Sequence, residues 1–266
     1  MDLQLAGRRA IVTGGSRGIG KAAAAALFAE GAEVAIAARA PERLRQAASA
    51  ISGTSGRPVH VIEVDTASDD RVRRMAEQAH AILGGVDILV NCAAIPAGQA
   101  PAPTLPEITY DAFWSDVNVK VVGYLRCVQA LAPGMVAAGW GRIVNVSGLA
   151  ALRTGSIIGS IRNVAVSAMT KNLADELGPS GINVNAVHPG LTRTEPTAGV
   201  VAARAEAAGA TPAEIERRLG AGCIAGRLID AAEVAAVIAF LASPVSVSIN
   251  GESIACGGGS PGVIRY

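Results

Sequence analysis

Short runs rich in β-branched residues alternate with longer alanine-rich stretches along nearly the whole chain, and this alternation constrains the fold more than any other feature. "RAIVTGG" (9 to 15), "EVAIAAR" (33 to 39), "VHVIEVD" (59 to 65), "VDILVNC" (86 to 92), "GRIVNVSG" (141 to 148) and "INVNAVHPG" (182 to 190) read as strands, and "SINGESIACGG" (248 to 258) as a seventh. The stretches 18 to 30, 41 to 52, 68 to 83, about 111 to 138, 160 to 178 and 230 to 242 carry helical spacing. Strands joined through helices pair in parallel by right-handed crossovers. The predicted fold is therefore α/β, a doubly wound parallel sheet of about seven strands with helices on both faces. No repeat or low-complexity linker interrupts the pattern, so residues 1–266 are read as one domain.

Only 3% of residues are aromatic against 50% hydrophobic, so the core must be built from Ala, Val, Ile and Leu, as suits helices on a parallel sheet. The 23 basic and 22 acidic residues leave a formal charge of +1, too little to attract nucleic acid or an acidic membrane. Four cysteines, Cys92, Cys127, Cys223 and Cys256, have neither close pairing nor metal-ligand spacing, so they are expected as reduced, buried thiols, and no metal is expected. The N-terminus lacks a basic segment followed by an apolar one, and no apolar run is read as long enough to cross a bilayer. A cytoplasmic protein acting on a small molecule is expected.

"TGGSRGIG", Thr13 to Gly20, directly follows the first strand and opens the first helix. Its glycines allow a tight turn and bring a pyrophosphate close to the helix N-terminus, where free N–H groups and the helix dipole favour an anion. Gly14, Ser16, Arg17, Gly18, Ile19 and Gly20 are the expected contacts with a dinucleotide. An NAD site commonly ends its second strand with an acidic residue for the ribose hydroxyls. Here Ala38 is followed by Arg39, and Arg17 lies inside the glycine turn. A carboxylate would repel a 2′-phosphate, whereas these two arginines can clamp one, so NADP is favoured over NAD.

These residues resemble the short-chain dehydrogenase/reductase family, and the resemblance spans essentially the whole chain with its Rossmann-type fold. "TGGSRGIG" is similar to the family's cofactor motif, and Asp65, followed by Thr66, to its aspartate near the adenine. "NCAA" resembles its Asn-Asn-Ala-Gly segment, which assigns Asn91 and Ala93 to the cofactor cradle. Asn118 in "DVNVK" falls on the family's helix asparagine and Ser147 in "NVSG" on its catalytic serine. "HPGLTRT" is similar to its Pro-Gly loop, which implies that Pro189, Gly190, Thr192 and Thr194 line the nicotinamide end. The resemblance also implies a homotetramer or homodimer formed through the helices around 111 to 138 and 160 to 178.

In that family the serine is followed by Tyr-x-x-x-Lys, in which the tyrosine protonates the carbonyl oxygen while the lysine lowers its pKa and holds the ribose. The register anchored by the downstream "AVSAMTKNLADELGPSGINVNAVHPG" puts the tyrosine position at Gly159 and the lysine position at Asn163. Only Lys21, Lys120 and Lys171, and Tyr110, Tyr124 and Tyr266, are present, and none forms Tyr-x-x-x-Lys. The pair is missing.

Asn163 retains hydrogen-bonding capacity toward a ribose but no charge. Ser147 keeps a hydroxyl, and glycine at 159 is expected to open space above the nicotinamide. His188, just before Pro-Gly, is a candidate donor, although a strand-end histidine bonded to backbone is the favoured reading. Ser160 is a possible substitute hydroxyl, Arg162 is expected to point away, and Tyr266 is a candidate for a neighbouring subunit's pocket. Loss of a positioned acid matters least for C=C or C=N acceptors. Two readings remain: an NADP(H)-dependent reductase of a C=C, C=N or C=O bond without the usual tyrosine, or a redox-neutral catalyst or silent cofactor binder. The less regular segment 195 to 222 reads as a lid over the carboxyl ends of the strands.

Overall fold

The computed structural model describes residues 1–95 and 102–264. In chain order the elements are β1 (Arg9–Thr13), α1 (Gly18–Ala29), β2 (Glu33–Ala38), α2 (Pro41–Ser52), β3 (Val59–Glu63), α3 (Asp69–Leu83) and β4 (Ile88–Asn91). Then come α4 (Tyr110–Val117), a π-helical turn (Asn118–Val122), α5 (Gly123–Ala138), β5 (Gly141–Val146), α6 (Ile157–Leu177) and β6 (Ile182–Pro189). The chain continues through β7 (Thr192–Arg193), α7 (Thr197–Ala208), α8 (Pro212–Gly220), β8 (Ile229–Asp230), α9 (Ala231–Leu241) and β9 (Ser253–Cys256).

Seven strands form one parallel sheet in the order β3-β2-β1-β4-β5-β6-β9, and the seven expected runs supply them. The sheet is buried from both sides: all eight residues of β6 and all six of β5 are shielded from solvent. Leu27, Ile36, Val144 and Ile238 belong to the apolar layer that α1 and α9 make with the sheet, and Met75, Leu89, Met135 and Ile143 to the layer under α3 and α5. Each such side chain contributes roughly 1.5–3 kcal/mol by leaving water. The chain builds outward from β1 to β3, then returns to lay β4 against the other side of β1. The crevice at the carboxyl ends of β1 and β4 is therefore the topological switch point at which such sheets bind ligands.

Two expectations are corrected. The segment after β6 is not irregular: it holds α7 and α8, the latter started by a Thr211–Glu214 capping box. Its base is tied by a two-stranded ladder in which Thr192 pairs with Ile229 and Arg193 with Asp230. The stretch Tyr110–Ala138, moreover, is long and apolar enough by length and composition to cross a bilayer. Part of it serves the interior, where Tyr124, Cys127 and Met135 are fully buried, while Trp114, Leu125 and Val136 stay exposed. Tyr266 lies outside the described residues.

Candidate active site

The glycine turn is shaped by close approach. Gly14 has φ +68°, and a Cβ there would lie 2.8 Å from the backbone of Cys92 and 2.9 Å from Ala93 Cα. A Cβ on Gly20 would meet the Gly14 carbonyl oxygen at 2.4 Å, so α1 starts directly against the turn. Gly18, the first residue of α1, has φ +56°, and Arg17 before it provides no side-chain cap. The N–H of Gly18 donates instead to the Glu195 carboxylate at 2.8 Å, so an anion already sits at the head of α1. The crowding that leaves room only for glycine is what a closely bound pyrophosphate requires, and the turn fits a dinucleotide. Ser16 and Ile19 are half-buried in it, while Arg17 and Arg39 are exposed at its rim.

The remaining cradle residues hold the carboxyl ends of the strands in place. Thr13 Oγ1 accepts the N–H groups of Cys92 and Ala93, tying β1 to the segment after β4. Asn91, fully buried, donates to Asn145 Oδ1, and Asn145 donates to Thr170 on α6. Asn91 Oδ1 is buried without a partner among the described residues. Asp65 closes its own turn by accepting from Ala67, and the buried Thr66 donates its hydroxyl to the Val119 carbonyl. The Thr66 side chain therefore positions the π-helical turn rather than facing a ligand. Pro189 ends β6, and Gly190 packs on Gly257. Thr192 donates back to the Gly190 carbonyl. Thr194 N–H bonds Thr197 at the start of α7, and the Thr194 methyl would stand 3.4 Å from a Cβ on Gly18.

At the ends of β5 and α6 the structure brings together Ser147, Asn163 and a residue that sequence reasoning missed, Lys120. Lys120 Nζ donates to Asn163 Oδ1 at 2.8 Å and to the Ser147 carbonyl at 2.9 Å. The side chain is only 4% exposed. Desolvation, reinforced by the charge of Arg162 and partly offset by Cys92 and Asp116, pulls this lysine down to about 7. Ser147 Oγ donates to the Asn163 carbonyl at 3.0 Å, so its proton is held within the protein. An ammonium therefore does reach the lysine position, Asn163, from another helix.

Asn118 does not join this cluster: its Oδ1 accepts from Arg126 at 2.8 Å. Residues two apart on a helix point to nearly opposite faces, so only one of Asn118 and Lys120 can face Ser147, and it is Lys120. A lone lysine in the apolar run "VNVKVVGYL" was the available signal, because a lysine is almost never buried without partners. Arg162 is likewise not turned away. It is buried and grips both oxygens of Asp116 at 2.7 and 2.6 Å beside Lys120.

Other candidates are occupied. Gly159 is buried in the first turn of α6, where its N–H bonds the Ser156 cap, and a Cβ there would lie 2.8 Å from Ser156 Oγ. The space next to position 159 is thus partly taken by Ser156, not simply opened. Ser160 Oγ donates to the Arg153 carbonyl. His188 is 1% exposed, with Nδ1 3.0 Å from the Gly148 carbonyl and Nε2 3.4 Å from Ser167 Oγ, the backbone-bonded arrangement rather than an open donor. Tyr124 donates to the Val146 carbonyl at 3.0 Å, and burial pushes its phenol well above the usual range.

Comparison with known proteins agrees with this architecture. Residues 8–205 match the short chain dehydrogenase family. The chain is 32% identical over 262 residues to the 3-oxoacyl-(acyl-carrier-protein) reductase FabG of Aquifex aeolicus, covering 97% of this chain and 99% of that protein. It is 41% identical over 198 residues to L-xylulose reductase of Mesocricetus auratus, 73% of this chain and 75% of that one. The crystal structure of L-sorbose reductase from Gluconobacter frateurii, complexed with NADPH and L-sorbose, superposes with a TM-score of 0.92 at 27% identity, covering 99% of this chain and 100% of that one. With its glycine turn, switch-point crevice and match over 8–205, this chain belongs to the short-chain dehydrogenase/reductase family.

Proposed function

We propose that the protein is an NADP(H)-dependent oxidoreductase that transfers hydride to a C=C, C=N or C=O bond of a small molecule without the family's tyrosine. The observation that carries this reading is the intact cradle: the crowded Gly14 and Gly20, the start of α1 where Gly18 N–H already holds a carboxylate, and the exposed Arg17 and Arg39 together fit a phosphorylated dinucleotide. The NADPH in the related L-sorbose reductase supports the same choice. When bound, the cofactor supplies or accepts the hydride. Gly14, Ser16, Gly18, Ile19 and Gly20 would hold its pyrophosphate, Asp65 its adenine end, and Asn91, Ala93, Asn163, Pro189, Gly190, Thr192 and Thr194 its nicotinamide end.

Exposed apolar side chains on two helices, Leu125 and Val136 on α5 and Ile157, Ile161 and Val164 on α6, support a homo-oligomer. The near-neutral charge supports a reading without a nucleic-acid partner, and four free cysteines suit a reducing, cytoplasmic compartment. The test is to incubate the purified protein with NADPH and panels of enones, imines and ketones while following absorbance of the reduced cofactor. Consumption with one panel and preference over NADH are expected. Binding of NADPH without oxidation by any acceptor would favour a redox-neutral or silent role instead.

A further inference from the structure

We propose that Lys120 is the proton donor of this site, an amine carried in on the turn between α4 and α5 that serves in place of the missing pair on α6. The proposal rests on the hydride-transfer reading above. Its geometry is the cluster at the head of α6: Nζ lies 2.8 Å from Asn163 Oδ1, so the lysine and asparagine hold one hydrogen bond across two helices. An ammonium has three N–H groups. Two are spent on Asn163 and the Ser147 carbonyl, and the third has no acceptor among the described residues. Gly159 lies one turn before Asn163 on the same face of α6, with Cβ positions about 5–6 Å apart in such pairs. No side chain from 159 stands in front of the amine.

The groups facing Lys120 are Arg162 from α6, Asp116 from α4 and Cys92 after β4. Burial disfavours the ammonium most, and the charge of Arg162, itself fixed by Asp116, adds to the same effect against the smaller opposing pull of Cys92 and Asp116. The amine is thereby brought to about 7, where protonated and neutral forms are both present at neutral pH, as an acid that must be recharged each turnover requires. The other groups nearby are committed: the Ser147 hydroxyl to Asn163, the Tyr124 hydroxyl to Val146, and the His188 ring to Gly148 and Ser167. In the reduction, the hydride forms a C–H bond at the acceptor carbon. The π electron pair moves to the heteroatom, or to the enolate oxygen of an enone. There an O–H or N–H bond forms as an N–H bond of Lys120 breaks, and the neutral amine takes its proton back from solvent.

The chain has only three lysines, so full-length protein labelled with 13C,15N-lysine reports each one by NMR. One signal, absent from Lys120→Met, is expected to titrate near pH 7; a Lys120 signal with no titration near neutral pH would overturn the proposal. With an acceptor that turns over, reduction should decline above the pH at which that signal titrates. Lys120→Met should lose about a hundred- to ten-thousand-fold in kcat with KM little changed, and Lys120→Arg, charged throughout, should lose the pH limb. Turnover and pH profile unchanged in Lys120→Met overturn the amine and leave the hydride reading standing. NADPH oxidised by no acceptor overturns that reading and this proposal with it, even where Lys120 titrates near 7.

Discussion

The Glu195 carboxylate accepts the backbone N–H of Gly18 at 2.8 Å, at the first residue of α1, and lies 3.7 Å from Lys21 Nζ. An acidic side chain just before α7 thus holds the helix end to which the cofactor's pyrophosphate is assigned. Two anions cannot share that end without repulsion, so Glu195 must swing out or weaken binding. A helix end interacts with a charge by about 0.3–1 kcal/mol. Glu195→Gln is therefore expected to tighten NADPH roughly two- to fivefold by calorimetric titration, with the gain shrinking as salt is added. Unchanged or weaker binding would mean that the carboxylate does not compete.

Arg39 follows β2 and is exposed, as is Arg17 in the glycine turn. If they grip a 2′-phosphate, the contact is a charge-assisted one at the solvent boundary, worth about 1.5 kcal/mol at the low end of its range. Arg39→Ala should weaken NADPH about tenfold and leave NADH within about twofold. Equal loss for both coenzymes would remove Arg39 from phosphate recognition.

Lys120 also makes a prediction about stability that needs no substrate. Its pKa is about 7 in the folded protein and near 10.5 when the chain is unfolded. Between those values the unfolded state binds more protons, so this group makes stability rise with pH from about 7 to about 10.5, with no contribution to the slope outside that window. The limiting slope is about 1.4 kcal/mol per pH unit. Urea unfolding of the wild type at pH 6, 7.5 and 9 should show the rise, and Lys120→Met should lack it. Parallel profiles for the two proteins would show that the lysine is not held in its buried, depressed state.

The sheet was legible because its strands are buried on both faces: β-branched runs such as "RIVNV" and "INVNAV" leave no other placement in a chain that alternates them with helices. The glycine turn was legible because φ and crowding at Gly14 admit no other residue. The proton chemistry was not. Motif spacing follows one helix at a time, and the functional amine crosses from the turn at Asn118–Val122 to α6, a contact set by tertiary packing. The resemblance points to Asn118, and Lys120, two residues along the helix, lies on nearly the opposite face, which motif matching does not register. Arg162 misled for a related reason: its partner Asp116 is 46 residues away. The regular helices α7 and α8 were hidden by glycines and prolines that here mark caps and connections, as Pro212 does at the start of α8.

Two glycines on α5 offer the last prediction, because the same substitution should have opposite signs at each. At Gly123 a Cβ would lie 2.9 Å from Thr66 Cβ and 3.0 Å from the Thr66 carbonyl oxygen. Thr66 cannot easily retreat, since its hydroxyl bonds Val119 and its carbonyl accepts from Arg126. Gly134, further along the helix, would place a Cβ with nothing within 4 Å. Alanine stabilises a helix interior by about 0.5–1 kcal/mol over glycine, and overpacking costs about 1–3 kcal/mol. Gly134→Ala should therefore raise stability by about 0.5–1 kcal/mol, while Gly123→Ala should lower it on balance by about 1–2 kcal/mol in urea unfolding. Gly123→Ala should also push the turn carrying Lys120 away from Ser147 and Asn163, and the lysine NMR titration should move with it; in Gly134→Ala the titration should stay in place. A Gly123→Ala protein as stable as the wild type, with its lysine signal unmoved, would show that the packing of α5 against Thr66 is not what fixes the amine.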